Sequence, residues 1–334
     1  AAGVRRLLWR QVVPTEVLLP APILKYQDDQ PLSDILVAGN GAVCCARRVP
    51  NFAEVLVWPE GLTGSPASWT GPPRLPILRI FAFDGSATYA FTGEQLLRVR
   101  PGEVDILHRA SKPIRDAHLS PDGQHLVWLE KADIARGYVA PVQLKLRPWP
   151  LQIRDYCYDA RWLSSDEIVV LELHHAGDAE TGQSMHLMGL RGEVLNTVFH
   201  TEDYALQLGP ASTRRRRVIL FGHARRDGRH SGGQRSGAWV FEIDAGAFRC
   251  LANASPAGGS AVLLSDGCLF ADAGRQTLQS SGLVLASEAG CRAAVVGAFL
   301  REFALTADGR GILFRTFGRQ FGITELPIDA LASA

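Results

Sequence analysis

The 334-residue chain has no uninterrupted apolar run of the roughly 18 residues that a membrane-spanning helix needs. It has no apolar N-terminal segment followed by a cleavage site, so we expect no signal peptide. Neither sign of charge is in excess, because the net charge is only +1 at pH 7. Any electrostatic function must therefore come from a local patch. Lysine is scarce and occurs only at Lys25, Lys112, Lys131 and Lys145.

Cysteine is also infrequent, with six residues and no Cys-x-x-Cys pair. Most of the thiols lie in or beside apolar runs, as in the segment 42–46. This placement is typical of buried, reduced cysteine and of a reducing compartment. We therefore expect a cytoplasmic protein, or a periplasmic one if a signal peptide has been removed.

Helical periodicity is missing as well. No segment of about ten to fifteen residues repeats its apolar positions with a period near 3.6, which disfavours a parallel α/β sheet. Short apolar runs separated by tight turns take its place, most clearly between Arg115 and Leu129. There Pro121 presets φ and Asp122-Gly123 tolerates positive φ, so the sequence predicts a β-hairpin.

This hairpin pattern recurs along the whole chain. Related turns lie at Asn40-Gly41, Asp84-Gly85, Ser165-Asp166, Asp266-Gly267 and Asp308-Gly309, with a degenerate copy at Pro210–Thr213. Their spacing is that of four-stranded propeller blades, about 40 to 50 residues. The sequence thus predicts one all-β domain over residues 1–334, a seven-bladed β-propeller of four-stranded antiparallel blades.

The last predicted blade, residues 299–328, supplies only about three strands. We predict that the N-terminal strand Leu7–Val12 completes it, so that both ends of the chain close the ring and leave no open sheet edge. Two segments interrupt the repeat, Pro59–Pro76 and His223–Gly237. We predict them to be long loops and contact surfaces.

The Ser120-Pro121-Asp122-Gly123 turn and the apolar strand after it resemble the repeat of TolB-like and WD40-like β-propellers. The TolB-like form is the nearer one, because the Trp-Asp and Gly-His dipeptides of WD40 repeats are not seen at the repeat positions. Ala307–Gly309 is the next best match. The resemblance implies a ring with a central channel and two loop-bearing faces, but no activity, because this fold carries enzymes, receptors and scaffolds alike.

Arginine is concentrated in predicted blade five, in two groups with only Asp227 against them. Such a positive field suits phosphates, anionic lipid or an acidic protein surface. No aromatic residue lies within either group, so base stacking is not indicated. The strand Val218–His223 crosses the blade once between the groups, which places them on opposite faces. The predicted binding residues are Arg214, Arg215, Arg216, Arg217, Arg225, Arg226, Arg229 and Arg235.

Trp58 and Trp69 flank or lie in the Pro59–Pro76 segment and are further candidate binding residues. If they are exposed, they make the loop an interaction hot spot; if they are buried, they anchor it to the ring. The Pro73–Pro76 segment fits a PxxP ligand but is more typical of a stiff surface loop.

Signals for catalysis and metal binding are weak. The chain has no Gly-x-Ser-x-Gly or His-Glu-x-x-His motif. A metal site built from His174, His175, His186 and Asp178 is disfavoured, because adjacent strand residues point to opposite faces. We therefore expect no metal and no cofactor. Polar residues that could line the channel mouth are more typical of hydrogen-bonded turns; they are Asp34, Asp116, His118, His125 and Asp159.

The sequence favours a non-catalytic interaction scaffold, a subunit that binds a protein partner through its loop faces, and it identifies no catalytic residue. Two alternatives stay open. One is an anion or nucleic-acid binder that uses the blade-five arginines. The other is a hydrolase or lyase with a channel-mouth site and a bound divalent ion.

Overall fold

The computed structural model describes residues 12, 14–69, 78–132, 134–143, 147–176, 179–212, 215–224, 236–254, 256–264, 267–272, 275–277, 280–287, 289–300, 302–316 and 321–332. Within these residues the chain forms strands and one short terminal helix, α1 (Asp329–Ala332). No helix of this part has the length and apolar character that crossing a bilayer would require.

The strands group into seven sheets in chain order. Two strands precede the first blade, namely β1 (Thr15–Glu16) and β2 (Ile23–Asp28). Blade one contains β3 (Leu32–Val37), β4 (Val43–Val49), β5 (Phe52–Trp58) and β6 (Ala67–Ser68). Blade two contains β7 (Arg79–Phe83), β8 (Thr88–Thr92), β9 (Gln95–Arg100) and β10 (Glu103–Arg109). Blade three contains β11 (Ile114–Leu119), β12 (His125–Glu130), β13 (Arg136–Pro141) and β14 (Trp149–Pro150).

The remaining blades follow the same order. Blade four contains β15 (Tyr156–Trp162), β16 (Ile168–Ala176), β17 (Ala179–Met188) and β18 (Val194–Thr201). Blade five contains β19 (Tyr204–Ser212), β20 (Arg217–Ala224), β21 (Ser236–Glu242) and β22 (Ala247–Ala252). Blade six contains β23 (Pro256–Leu263), β24 (Gly267–Asp272), β25 (Ser281–Ser287) and β26 (Cys291–Val296). Blade seven begins with β27 (Phe303–Leu305), β28 (Gly311–Thr316) and β29 (Phe321–Pro327).

The blades are arranged in a closed ring. The first strand of every blade contacts the first strand of the next, from β3 round to β27 and back to β3. These strands therefore line the central channel. Seven clusters of buried apolar side chains fill the seven interfaces between consecutive blades. Each blade buries both of its faces against the two neighbouring blades. The stability of one blade therefore depends on the stability of its neighbours. The predicted seven-bladed propeller is confirmed.

The N-terminal segment closes the ring, but through a different strand from the one predicted. β2 pairs antiparallel with β29 and supplies the fourth strand of blade seven. The assignment of that role to Leu7–Val12 was wrong, and those residues, apart from Val12, lie outside the described part of the chain. Just before β2, β1 adds a parallel fifth strand to blade six beside β26. The segment thus joins two neighbouring blades.

The first predicted loop is not a single loop. Pro59–Pro76 contains β6, the outermost strand of blade one, which pairs with β5. Residues 70–77, including Pro73–Pro76, lie outside the described residues. The second predicted loop begins within β20 and ends within β21, and the described residues stop at 224 and resume at 236.

Bulges interrupt the first strands of blades one to six, where the pairing register to the second strand shifts. A bulge adds a residue on one strand and redirects the side chains beside it. Asp34, Asp116 and Asp159 all lie at such bulges. Asp34 also takes a left-handed backbone conformation, with φ of 54°. The bulges therefore determine where the acidic side chains of the channel-lining strands point.

Candidate functional site

Two of the predicted channel residues connect neighbouring blades. Asp159 Oδ2 accepts the backbone N–H of Leu208 in blade five at 3.0 Å, and its Oδ1 accepts from Arg161 at 2.7 Å. Asp34 repeats this arrangement, since it accepts the N–H of Ile80 at 3.1 Å and pairs with Arg79 at 3.0 Å. Burial raises the pKa of both carboxyl groups, and the arginines counteract it. These carboxylates hold blades together.

Asp116 and His118 also meet on a channel-lining strand. Asp116 Oδ2 lies 3.1 Å from His118 Nε2 and 3.1 Å from the Arg161 guanidinium. Burial alone would raise the pKa of Asp116, but His118 and Arg161 outweigh it and hold the pKa below its ordinary value. His125 does not join this group; its ring lies 6.3 Å from that of Trp162 in blade four.

Arg216 and Arg217 at the blade-five turn are paired with acids that the local sequence does not reveal. Arg216 contacts Glu167 of blade four and Asp244 of its own blade, the latter at 2.9 Å. Arg217 pairs with Glu242 at 3.0 Å. The positive field of this turn is therefore weaker than the sequence predicted. The predicted binding residues that lie outside the described part are Arg214, Arg225, Arg226, Arg229 and Arg235.

Arg215 is exposed beside this turn. Trp58 and Trp69 are 1 % and 7 % exposed. Of the two alternatives for these tryptophans, the structure fits the anchor and contradicts the exposed hot spot. Trp58 packs edge-on against Tyr26 of the closing strand at 4.8 Å, and Trp69 against Phe83 of blade two at 6.0 Å.

Blade four carries a group of polar side chains that we call the blade-four cluster: Asp155, Glu172, His174, Ser184, His186 and His200. Asp155 Oδ2 lies 3.0 Å from His174 Nδ1, and His174 Nε2 lies 2.7 Å from Ser184 Oγ. Ser184 in turn lies 3.1 Å from His200 Nδ1. His175, next in sequence, instead contacts the Tyr156 ring. Asp178 lies outside the described residues.

Glu172 anchors this cluster. Its Oε1 accepts the backbone N–H groups of Arg154 and Asp155 at 2.7 and 2.6 Å, and its Oε2 lies 2.8 Å from His186 Nε2. Burial would raise the pKa of Glu172, but the hydrogen bonds from His186 and the backbone lower it to about 2. Glu172 is therefore an anion at neutral pH.

The second candidate site is a cleft of about 600 Å³ at the outside of blade three, facing blade two. We call it the blade-three cleft. Three exposed arginines surround it, Arg109, Arg136 and Arg147, and Trp149 and Tyr138 contribute partly exposed rings. Its lining continues past Lys112 to Ile134, which is 59 % exposed.

The cleft is open because the outermost strand of blade three is short. β14 has two residues and pairs with β13 only through Tyr138 and Val139. At the cleft floor, Glu130 accepts hydrogen bonds from the Ser111 hydroxyl at 2.6 Å and from Trp128 Nε1 at 3.4 Å. Its carboxylate is thus occupied, and the surrounding arginines are left facing solvent.

Neither site is among those predicted from the sequence. The cleft arginines come from a strand end, a strand start and a loop, and they form no run in the sequence. A tryptophan between two prolines, Pro148-Trp149-Pro150, was the one local signal that blade three ends irregularly. For the blade-four cluster, the sequence shows Glu172 and His174 two residues apart on one strand and His186 on the next strand. Asp155, the acid that completes the cluster, comes before the first strand of the blade.

Comparison with known proteins shows the fold. No protein-family model and no curated protein sequence matches the chain. An oligogalacturonate lyase in complex with manganese superposes with a TM-score of 0.65 at 11 % identity, over 94 % of this chain and 98 % of that one. An oligogalacturonate lyase of Vibrio parahaemolyticus gives 0.60 at 9 %, over 93 % of each chain. An acylaminoacyl peptidase of Pyrococcus horikoshii gives 0.61 at 14 %, over 86 % of this chain and 49 % of that one.

The protein is thus a seven-bladed β-propeller, and its structural neighbours are propeller proteins. The resemblance of its repeat to propeller repeats is confirmed at the level of the fold. Identities this low carry the architecture but not the activity, because function depends on the site residues.

Proposed function

We propose that the protein is a non-catalytic interaction scaffold that binds an acidic, extended segment of a partner protein in the blade-three cleft. The observation that carries this proposal is the cationic wall of the cleft. Among the described residues, Arg109, Arg136 and Arg147 have no carboxylate at ion-pair distance. Guanidinium groups in this state bind carboxylates through charge-assisted, bidentate hydrogen bonds.

The aromatic lining supports a peptide as the ligand. Tyr138 stacks on Trp128 with ring centres 5.5 Å apart, and Trp128 stacks on His108 at 5.6 Å. The stack leaves Tyr138 partly exposed beside the arginines that line the cleft. Aromatic anchors next to arginine are the residues that contribute most to protein–protein binding.

The acids of the channel-lining strands give weaker support to a non-catalytic role. Asp34, Asp116 and Asp159 are all engaged by arginines, and Asp34 and Asp159 also accept backbone N–H groups of the next blade. The lone pairs that these contacts use are not available to a substrate. Binding through the blade-five arginines is a weaker proposal, because Arg216 and Arg217 are already ion-paired.

An acidic oligosaccharide is the principal competitor for the cleft, since two structural neighbours are named oligogalacturonate lyases. The test therefore compares two probes by fluorescence anisotropy. One is a fluorescein-labelled glutamate-rich peptide with a central tyrosine, beside its glutamine counterpart. The other is labelled oligogalacturonate. Both are titrated with the full chain at low and at physiological ionic strength.

We expect the glutamate peptide to bind, its glutamine counterpart not to bind, and binding to weaken with salt. In Arg136→Gln and Arg147→Gln variants, affinity falls about tenfold each, since a hydrogen bond to a charged group contributes about 1.5 kcal/mol. The charge-matched controls Arg191→Gln and Arg310→Gln, both exposed elsewhere, retain wild-type affinity. Binding of oligogalacturonate alone, or equal loss in the controls, would overturn the proposal.

A further inference from the structure

We propose that Asp155, Glu172 and His174 of the blade-four cluster form a binding site for one divalent first-row transition-metal ion. One ligand atom from each lies within 4.8 Å of the other two. The site is separate from the blade-three cleft and does not rest on the proposed function. Its residues come from a connection and a strand, so they form no contiguous motif in the sequence.

The distances suit an ion of this class. Zinc binds imidazole nitrogen and carboxylate oxygen at about 2.0–2.2 Å, which puts two ligand atoms at tetrahedral positions about 3.4 Å apart. Asp155 Oδ2 and His174 Nδ1 are 3.0 Å apart, so an ion can bridge them after a small shift. One nitrogen and two oxygen donors favour a transition metal over calcium, which prefers oxygen ligands alone.

The outer partners are those that a metal site needs. A metal-binding histidine usually directs its second ring nitrogen to a hydrogen-bond acceptor, which fixes the ring. If His174 binds through Nδ1, its Nε2–H donates to Ser184 Oγ at 2.7 Å, and Ser184 donates to His200 Nδ1 at 3.1 Å. Glu172 is oriented in the same way by His186 and by two backbone N–H groups.

The site is open on one side. The side chains of Asp155 and His174 are 45 % and 25 % exposed, whereas that of Glu172 is 5 % exposed. The ion would therefore sit at the surface end of a buried carboxylate. Water can then complete its coordination. An imidazole nitrogen binds a metal only without its proton, so the ion takes the place of the hydrogen bond between His174 Nδ1 and Asp155.

The same atoms connect as an Asp–His–Ser relay, which is the arrangement of a serine nucleophile. The surroundings of Ser184 argue against that role. Ser184 is 6 % exposed, and it lies in a strand that is paired on both sides, with Glu172 and with His200. A nucleophile needs an accessible hydroxyl and nearby donors for an oxyanion. A metal needs neither, so the structure fits the metal better.

Calorimetric titration of the metal-stripped full chain with ZnCl₂ tests the proposal, together with the visible spectrum after addition of CoCl₂. We expect one Zn²⁺ per chain and a Co²⁺ ligand-field band that excess Zn²⁺ removes. His174→Gln lowers the affinity by more than the about 10- to 100-fold that loss of an outer partner causes. Ser184→Ala lowers it within that range and keeps one ion per chain.

The matched control is His175→Gln, because His175 is the next residue and contacts Tyr156 instead of the cluster. It should bind Zn²⁺ as the wild type does. Asp155→Asn serves as a second ligand variant that is exposed enough to fold, which circular dichroism verifies. Absence of stoichiometric binding to the wild type overturns the proposal. So does wild-type affinity in both His174→Gln and Asp155→Asn.

Discussion

At the scale of single residues, the acids of the channel-lining strands act across blade boundaries. Asp159 reaches the backbone of Leu208, and Asp116 reaches Arg161. Each contact spans more than forty residues of sequence. At its bulge, Asp159 accepts from its own strand with Oδ1 and from the next blade with Oδ2.

Asp116 gives a prediction for the pH dependence of stability. Its pKa in the folded protein lies below the ordinary 3.8, so the ionised form favours folding. This contribution is present above the unfolded-state pKa and disappears as the pH falls through the lowered folded-state value. Asp116→Asn should therefore be less stable than wild type at pH 7, with a difference that shrinks steadily under more acidic conditions. Urea denaturation across an acidic pH series measures it.

The exposed Asp203 provides the control for that experiment. Asp203→Asn should change stability little at any pH, because its side chain is on the surface. A stability difference for Asp116→Asn that stays constant down to strongly acidic pH would contradict the assignment, since a constant difference cannot come from ionisation.

The sequence could locate these acids but not their partners. Asp34, Asp116 and Asp159 were recognised near strand starts, because local pattern reveals where strands begin. Each of them has a partner in the next blade, and pairing across blades depends on the ring being closed. The acids that pair with Arg216 and Arg217 lie in distant parts of the sequence, so the residues around these arginines do not indicate them.

At the scale of the element, the hairpin turns that repeat in the sequence also repeat a hydrogen bond and a backbone angle in the structure. In the blade-three turn, Ser120 Oγ accepts the His125 N–H at 2.9 Å, and Gly123 has a φ of 71°. In blade seven, Thr306 Oγ1 accepts the Gly311 N–H at 2.9 Å, and Gly309 has the same φ. Blade five lacks this signal, and Arg216 takes the left-handed conformation there.

The closing strand was misassigned for a physical reason. An outermost strand of a blade has solvent on its free side, so it needs few apolar residues. β2 is mostly exposed, including Ile23 at 52 % and Leu24 at 54 %. The more apolar Leu7–Val12 segment therefore fitted a strand better by hydrophobicity. What holds β2 in place is its pairing with β29 and the Tyr26–Trp58 contact.

Gly322 tests this closure. A Cβ atom built there lies 2.6 Å from the carbonyl oxygen of Tyr26, so a side chain forces β2 away from β29. Gly322→Ala should reduce the free energy of unfolding by about 1–3 kcal/mol, as overpacking does. Gly297→Ala is the control, because nothing lies within 4 Å of the added atom. Thermal denaturation of the two variants measures the effect, and equal melting temperatures would contradict the closing role of β2.

At the scale of the whole molecule, the seven interface clusters make the ring one folding unit. Each blade is packed on both sides, and the cluster between blades seven and one closes the series with Leu32, Leu313 and Ile323. An open array of repeats can lose its end repeats first, because they have a single neighbour. A closed ring has no such end. Damage to one interface should therefore weaken every blade.

Leu220→Ala in blade five tests this cooperativity. Leu220 is fully buried between blades four and five, and its truncation should cost about 2–5 kcal/mol. Hydrogen exchange should then accelerate for the slowest amides of β4 in blade one by the same factor as for those of β20, because both exchange through global unfolding. Val295→Ala, at a position 65 % exposed, should leave both unchanged. Acceleration confined to blades four and five would mean that the blades open separately, in spite of the closed ring.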